Sequence, residues 1–396
     1  MSESEQVHGK VLLERARTMV PALRERAREA EKLQRLPDTT IGDAVDAGLF
    51  RAFVPKRHGG LQVDFRYGPL ITRELAHGCL SSAWIISFYI QHNWQAGLFP
   101  EALQSLLWKD RPYILAPAHI IPSGSATPVK GGYRVNGKWP WGSGIQHAEW
   151  FFAAAVVPGD GPLLDTRYFV IPAEQTALEG SWDVSGLAGT GSNTIVVDDV
   201  FVAEEMHGAR FAQMLDGSAP GVATQEPYLW QIPMVPLLMY NSLGAMAVGA
   251  AETAYQIFIN LMDGKSIKYG GGKAKENSAV HMRAGRARMN LTAISNLFEA
   301  NIEKIEERTR SGNFLNEFER LEIMAESSHI VHAARRLIDD LCEGAGSSFN
   351  FLSNPLQRIR RDMNVLATHG ITNLDRSTEN YGKVLLGHDI PLDSIR

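Results

Sequence analysis

The sequence predicts an α+β protein in three parts: an N-terminal helical domain over residues 1–115, a central β-domain over 116–225, and a C-terminal four-helix bundle over 226–396. Two changes of pattern predict it. Apolar residues recur at helical spacing up to about Leu115, and alternating β-type runs broken by glycine, proline and aspartate replace them up to about Val202. Long helical stripes return from about Leu237.

In the first part, Leu12, Leu13, Ala16, Met19 and Val20 form one stripe, and RERAREAEKLQR follows as a solvated helix face. Pro37-Asp38-Thr39 carries the capping chemistry of a second helix. Further helices are expected over Tyr67–His77, Ser81–Gly97 and Pro100–Trp108. In the middle part, FFAAAVV, RYFVIP and NTIVVDDVFV read as strands whose turns lie too close together for βαβ crossovers, so a barrel or sandwich is expected. The stretch GGYRVNGKWPWGSGIQHAEW opens there as a hairpin with its turn at Asn136-Gly137. Its second strand runs into Trp139, Trp141, Gly142, Ser143 and Gly144. Two indoles beside a small hydroxyl and a glycine suit a flat wall for a planar heteroaromatic ring, and equally suit a tryptophan-rich core. The last part predicts helices over Ala245–Met262, His281–Arg310, Asn316–Glu343 and Pro355–Thr368, with Asp263–Asn277 as a glycine-rich connection.

Composition excludes several classes. A net charge of -5 offers no basic excess for nucleic acid. The two cysteines, Cys79 and Cys342, suit a reducing compartment rather than a disulfide scaffold. The polar start MSESEQVHGK lacks a signal-peptide pattern, so a cytoplasmic, non-membrane protein is expected. The uncharged run between Glu226 and Glu252 could span a bilayer by length, but Pro233, Pro236, Asn241 and Ser242 interrupt it, which favours a helix buried in a bundle.

Gly264-Lys265-Ser266 ends like a P-loop, but Ile259 stands where that motif needs glycine. The glycines of Gly186–Ser192 are in the wrong order for a dinucleotide fingerprint, although such a hydroxyl-rich turn can cradle a ring edge as well as make a plain hairpin turn. Metal-ligand spacing and a nucleophile elbow are both absent. His92 lies on an apolar helix, and His369 lies past a helix end with Gly370 as its stop. Each suits either a core histidine satisfied by a carbonyl or a catalytic group. The small residues of Glu343–Ser348 permit close approach of a helix or a ligand.

Together, SSAWIISFYIQHNWQAGLF, PAHIIPSGSATPVKGGYRVNGKWPWGSG, WDVSGLAGTGSNTIVVDDVFV and NPLQRIRRDMNVLATHG resemble, in this order and over nearly the whole chain, the acyl-CoA dehydrogenase fold. They are most similar to its oxygen-activating branch, the oxygenase components of two-component flavin-dependent monooxygenases. The resemblance implies that Trp141, Gly142 and Ser143 line a flavin, with Ser143 near its N5–C4a edge. It also implies that Trp84 and the backbone of Ala118, His119 and Ile120 complete the pocket, and that Thr190 and Ser192 shape it. Gly346, Ser347, His369 and Gly370 would approach the flavin from the last domain, and Lys265 would hold its phosphate.

Dehydrogenases of this fold need a carboxylate base, often near the C-terminus. The similar stretch here, Thr368–Thr372, has His369 in that place, which favours oxygenation. The implied mechanism uses reduced FAD or FMN from a separate NAD(P)H:flavin reductase, and O2, through a C4a-hydroperoxyflavin that hydroxylates a small aromatic substrate (phenolic, indolic or polycyclic). His369 would act as base or as hydrogen-bond donor to the peroxide, with His92 as second candidate. An acyl-CoA dehydrogenase, or a nitrogen- or sulfur-oxygenating member of the fold, is the alternative. A homotetramer is the family expectation.

Overall fold

A computed structural model describes residues 3–158, 166–225, 227–266, 272–313 and 315–390. Of the Asp263–Asn277 connection, residues 267–271 therefore lie outside the described residues. The first helices are α1 (Glu3–Leu33), α2 (Asp38–Asp46), α3 (Tyr67–Ala76), α4 (Leu80–Ala96) and α5 (Glu101–Leu107). Leu12, Ala16, Met19, Leu23, Ala27 and Ala30 of α1 are buried at spacings of three and four, as one face of a helix requires. Helix α4 is buried along nearly its full length, so it is the central rod of this layer.

The strands are β1 (Gly124–Val129), β2 (Gly132–Trp139), β3 (Trp150–Val156), β4 (Thr166–Pro172), β5 (Ala177–Glu179), β6 (Thr194–Ala203) and β7 (His207–Arg210). They form one seven-stranded sheet in the order β5-β6-β2-β1-β3-β4-β7. Side chains alternate between its faces. Phe151, Ala153, Phe169 and Ile171 join a core private to the β-domain, whereas Phe152, Ala154, Tyr168 and Val170 join the core shared with the helices. Burial on both faces explains why these strands read as continuous apolar runs.

The hairpin turn differs from expectation. Val129 pairs with Gly132, so the chain reverses at Lys130-Gly131, with Gly131 at φ +85°. Asn136-Gly137 lies inside β2 at a bulge against β6, where Asn136 Oδ1 accepts from the Asp199 N–H at 2.7 Å. An Asn-Gly pair supplies bulge geometry as readily as turn geometry, and pairing register decides between them.

The remaining helices are α6 (Phe211–Asp216), α7 (Pro227–Trp230), α8 (Met234–Leu238), α9 (Ala245–Gly264), α10 (Ser278–Arg310), α11 (Glu317–Ala345), α12 (Pro355–Ala367) and α13 (Leu374–Leu385), and a π-helical turn, Met239–Gly244, joins α8 to α9. The helical stretch Met234–Gly264 is apolar and long enough to cross a membrane, but its apolar window is buried within the protein, as a core helix is. Asn277, Asn316, Asn354 and Asn373 cap α10 to α13 through their side-chain oxygens. Helix α13 was not expected, and Gly370 is not a helix stop. It keeps negative φ and opens a short 3₁₀ turn, Gly370–Thr372, for which His369 is the cap.

Candidate active site

Helix α4 places Trp84, Phe88 and His92 at successive i, i+4 positions, which stack along one face. Ring centroids are 4.7 Å apart for Trp84 and Phe88, and 5.5 Å for Phe88 and His92. His369 meets the end of this row edge-on, 5.6 Å from the Trp84 ring.

Beyond β2, the segment Pro140–Gly144 forms a tight turn over the row. Trp141 takes φ +67°, a left-handed backbone uncommon for a residue with a side chain. The turn is held from two sides. The Gly142 N–H donates to Asn193 O at 3.0 Å and the Gly144 N–H to Thr190 O at 3.2 Å, while the Tyr89 hydroxyl on α4 donates to Gly144 O. A Cβ at Gly144, already at φ +84°, would lie 2.9 Å from the Tyr89 oxygen, so only glycine fits this close approach.

The two indoles expected on one wall separate. Trp139, still in β2, points into the β-core against Phe151 and donates to Ala154 O at 2.8 Å. Trp141 lies past the strand end and is 62% exposed, standing edge-on to Trp182 at 5.3 Å. Ser143 is buried beside it, where its Oγ accepts from Trp84 Nε1 at 3.1 Å and meets Ser192 Oγ at 2.7 Å. Ser192 Oγ in turn lies 2.8 Å from Thr190 Oγ1.

The turn carrying Thr190 and Ser192 is fixed by α1, α4 and α12. A Cβ at Gly186 would fall 2.2 Å from Arg361 O, and one at Gly189 would crowd Ala30 and Ser81. The Leu187 N–H donates to Asp362 Oδ1 at 2.7 Å, and burial pushes that carboxyl up to about 6. This glycine turn is a packed junction that delivers two hydroxyls.

Three histidines surround the site. His92 is buried, with Nδ1 2.6 Å from Ala116 O, and burial lowers its pKa to about 4. Since a carbonyl only accepts, Nδ1 carries the proton and neutral Nε2 is an acceptor. His369 is half-buried, and its Nδ1 accepts the Ile371 N–H at 3.3 Å, which leaves Nε2 as the protonated donor. Burial and then the charge of His119 lower its pKa to about 4. His119 lies between Pro140 O (2.6 Å from Nε2) and Ile121 O (2.9 Å from Nδ1), tying the 118–121 segment to the Trp141 turn.

An exposed indole face, a glycine backbone and a buried hydroxyl suit a flat ring with a polar edge, and among the described residues no cluster suits a metal. Comparison with known proteins identifies the family and its cofactor. Residues 10–97 match the acyl-CoA dehydrogenase N-terminal domain, and residues 241–374 match the acyl-CoA dehydrogenase C-terminal domain. The chain is 33% identical over 381 residues to a pigment production hydroxylase of Rhodococcus sp., covering 96% of this chain and 97% of that one. It is 31% identical over 372 residues to the flavin-dependent monooxygenase oxygenase subunit HsaA of Rhodococcus jostii, covering 93% and 97%. The structure of XiaF from a Streptomyces species, in complex with FADH2 and glycerol, superposes with a TM-score of 0.90 at 26% identity and covers 98% of both chains. The chain belongs to the flavin-dependent monooxygenase oxygenase components of acyl-CoA dehydrogenase fold.

The oxygenase uses reduced flavin, and as an oxygenase component it implies a separate flavin reductase. Lys265, Gly346 and Ser347, also expected at the flavin, form a second group. Lys265 Nζ donates to Ala345 O at 2.5 Å, at the C-terminus of α11. Gly346 follows at φ +69°, where a Cβ would lie 3.1 Å from Lys265 Nζ, and Ser347 opens the next turn. Ala118 pairs with Phe152 as an isolated bridge, with Ile120 packed on the core nearby. A groove of about 810 Å³ lies elsewhere, along α1, α3, α9 and α12, and of the residues around Ser143 and its hydroxyl neighbours only Asp362 lines it. Sequence reasoning named only the backbone at His119 and missed Tyr89, Trp182 and Asp362, because each acts on a partner remote in sequence.

Proposed function

We propose that α4, the Trp141–Ser143 turn and His369 border a recess in which the oxygenase hydroxylates a phenol-like or indole-like aromatic substrate. Bound FADH2 or FMNH2 supplies the activation of O2, with one oxygen atom going to the ring and the other to water. Trp141 and Ser143 would hold the flavin ring, and Lys265 with Gly346 and Ser347 its phosphate-bearing tail. A cation beside backbone without a side chain suits that tail. The rings of Trp84, Phe88, Trp141 and Trp182 would keep water from the reacting centre.

The observation that carries the reading is the opposite bonding of the two histidine Nδ1 atoms, one at a carbonyl and the other at an N–H, which assigns them opposite tautomers. His369, with Nδ1 occupied by the Ile371 N–H, offers an N–H at Nε2 and suits hydrogen-bonding to activated oxygen. His92, with its Nδ1 proton committed to Ala116 O, offers a lone pair at Nε2 and suits taking a phenolic O–H or indolic N–H proton. The base is therefore better assigned to His92 than to His369. Both rings are neutral at pH 7, as each task requires. Cytoplasmic location and a homotetramer belong to the same proposal. Two buried free cysteines support the first, and exposed Met282 and Met289 one heptad apart on α10 support the second.

Mixing the protein with photoreduced flavin and then admitting oxygen should give a transient absorbance distinct from oxidised flavin, and conversion of phenols or indoles when reductase and NADH are added. Direct reoxidation without a transient or product, or reduction of bound FAD by an acyl thioester, would contradict the proposal.

A further inference from the structure

The hydroxyls around Ser143 form one continuous path from a group that can only donate to a group that can only accept. The links run from Trp84 Nε1 to Ser143 Oγ at 3.1 Å, on to Ser192 Oγ at 2.7 Å, on to Thr190 Oγ1 at 2.8 Å, and end at Leu187 O at 2.8 Å. An indole nitrogen has a proton and no lone pair to offer, and a carbonyl has lone pairs and no proton. The four links have four protons available, one from the indole and one from each hydroxyl. Every link is filled only if all protons point the same way, from Trp84 toward Leu187. Reversing one hydroxyl would leave two oxygens facing each other within 2.8 Å with no proton between them. All four side chains are buried, so water does not compensate such a break at low cost.

We propose that Thr190 and Ser192 are positioning residues that fix the direction of the Ser143 proton, so that Ser143 faces the recess only as a hydrogen-bond acceptor. Ser143 accepts one hydrogen bond from Trp84 and donates its proton to Ser192, which leaves one lone pair. In reduced flavin N5 carries a hydrogen, and in oxidised flavin N5 is itself an acceptor. An acceptor-only Ser143 therefore discriminates in favour of the reduced cofactor. This last step rests on the proposed flavin position, whereas the hydroxyl path does not.

The first readout uses the flavin-free protein with ¹⁵N-labelled tryptophan and the Trp84 indole resonance assigned through Trp84→Phe. Hydrogen-bond chains polarise each other, so Thr190→Val and Ser192→Ala should each shift the Trp84 indole proton upfield, and Thr190→Ser should restore it. The second readout is the ratio of affinities for reduced and oxidised flavin. Thr190→Val should lower that ratio about two- to tenfold, the worth of one net hydrogen bond, and Thr190→Ser should recover it. General loosening of the pocket would weaken both redox states alike and leave the ratio unchanged. An unmoved indole shift in Thr190→Val overturns the hydroxyl path. A moved shift with an unchanged ratio overturns the placement of flavin N5 against Ser143.

Discussion

His92 is buried and His77 and His369 are partly so, yet His77 and the other two end in opposite charge states. His77 sits at the junction of α1, α3 and α9 with a carboxylate on each ring nitrogen, Glu252 at 2.9 Å and Glu74 at 3.4 Å. Although burial pulls its pKa down, those two carboxylates raise it to about 9. Glu252 also binds Arg73, and its hydrogen bonds to His77 and Arg73 hold it at about 2 against the opposing effect of burial. His92 and His369 have only backbone partners and a neighbouring histidine, and burial carries both to about 4. Burial alone therefore does not set a histidine's charge here; the chemistry of its partners does. The charged junction holds helices together, and the neutral recess keeps protons on chosen atoms.

The contrast breaks most severely at the charged end. Glu252→Gln leaves Arg73 and His77 short of a counter-charge, and should lower unfolding free energy by about 3 kcal/mol, measured by denaturant titration. Product formed per NADH, read from any folded fraction, should be unchanged. A stability loss of about 0.5 kcal/mol or less, the range of an ordinary surface substitution, would show that the junction does not hold the helices together.

In the recess, His369→Ala should cut the product-forming rate about 100-fold while hydrogen peroxide released per NADH rises, as for loss of one donor to developing charge. His369→Gln keeps an N–H donor but no base, so it should retain much more coupling than His369→Ala. Equal losses in the two variants would return the role of base to His369.

Stability should respond to pH in opposite ways at His77 and at the recess histidines. The contribution of His77 is full below its unfolded value of 6.5 and is lost as pH rises through about 9. That of Glu252 is full above 4.5 and is lost as pH falls through about 2. His92 and His369 stay neutral in the fold while the unfolded chain takes up protons, so stability falls as pH drops from 6.5 to about 4. His77→Gln should flatten the alkaline side of the stability profile, and His92→Phe the acid side. The smallest effect belongs to His119→Gln: burial lowers the His119 pKa, so this ring charges only in acid, and its removal should raise the titration midpoint of His369 slightly.

Much of the helical scaffold was legible, because its apolar stripes are local signals. The expected Ser81–Gly97 and Asn316–Glu343 differ from α4 and α11 by at most two residues at an end. The β-hairpin was less so, since Lys130-Gly131 and Asn136-Gly137 are both turn-like and only the register of β2 against β1 and β6 separates them. Trp139 and Trp141 share strand parity, but the chain leaves the strand between them and Trp141 turns outward at φ +67°. Ser143, the Gly186–Ser192 turn and His369 stood out in the sequence, and a resemblance gave them their expected roles. Their proton directions were not legible, because contacts such as Ala116 O on His92, 24 residues away, set them.

Neutrality of the recess, with its two histidines in opposite tautomers, can be read directly by NMR. The most direct measurement is the ¹⁵N spectrum of histidine-labelled protein between pH 5 and 9, with His77, His92 and His369 assigned by single substitution. The account predicts neutral His92 protonated at Nδ1, neutral His369 protonated at Nε2, and His77 charged until pH approaches 9. A charged His369 at pH 7, or a shared tautomer for His92 and His369, would contradict it.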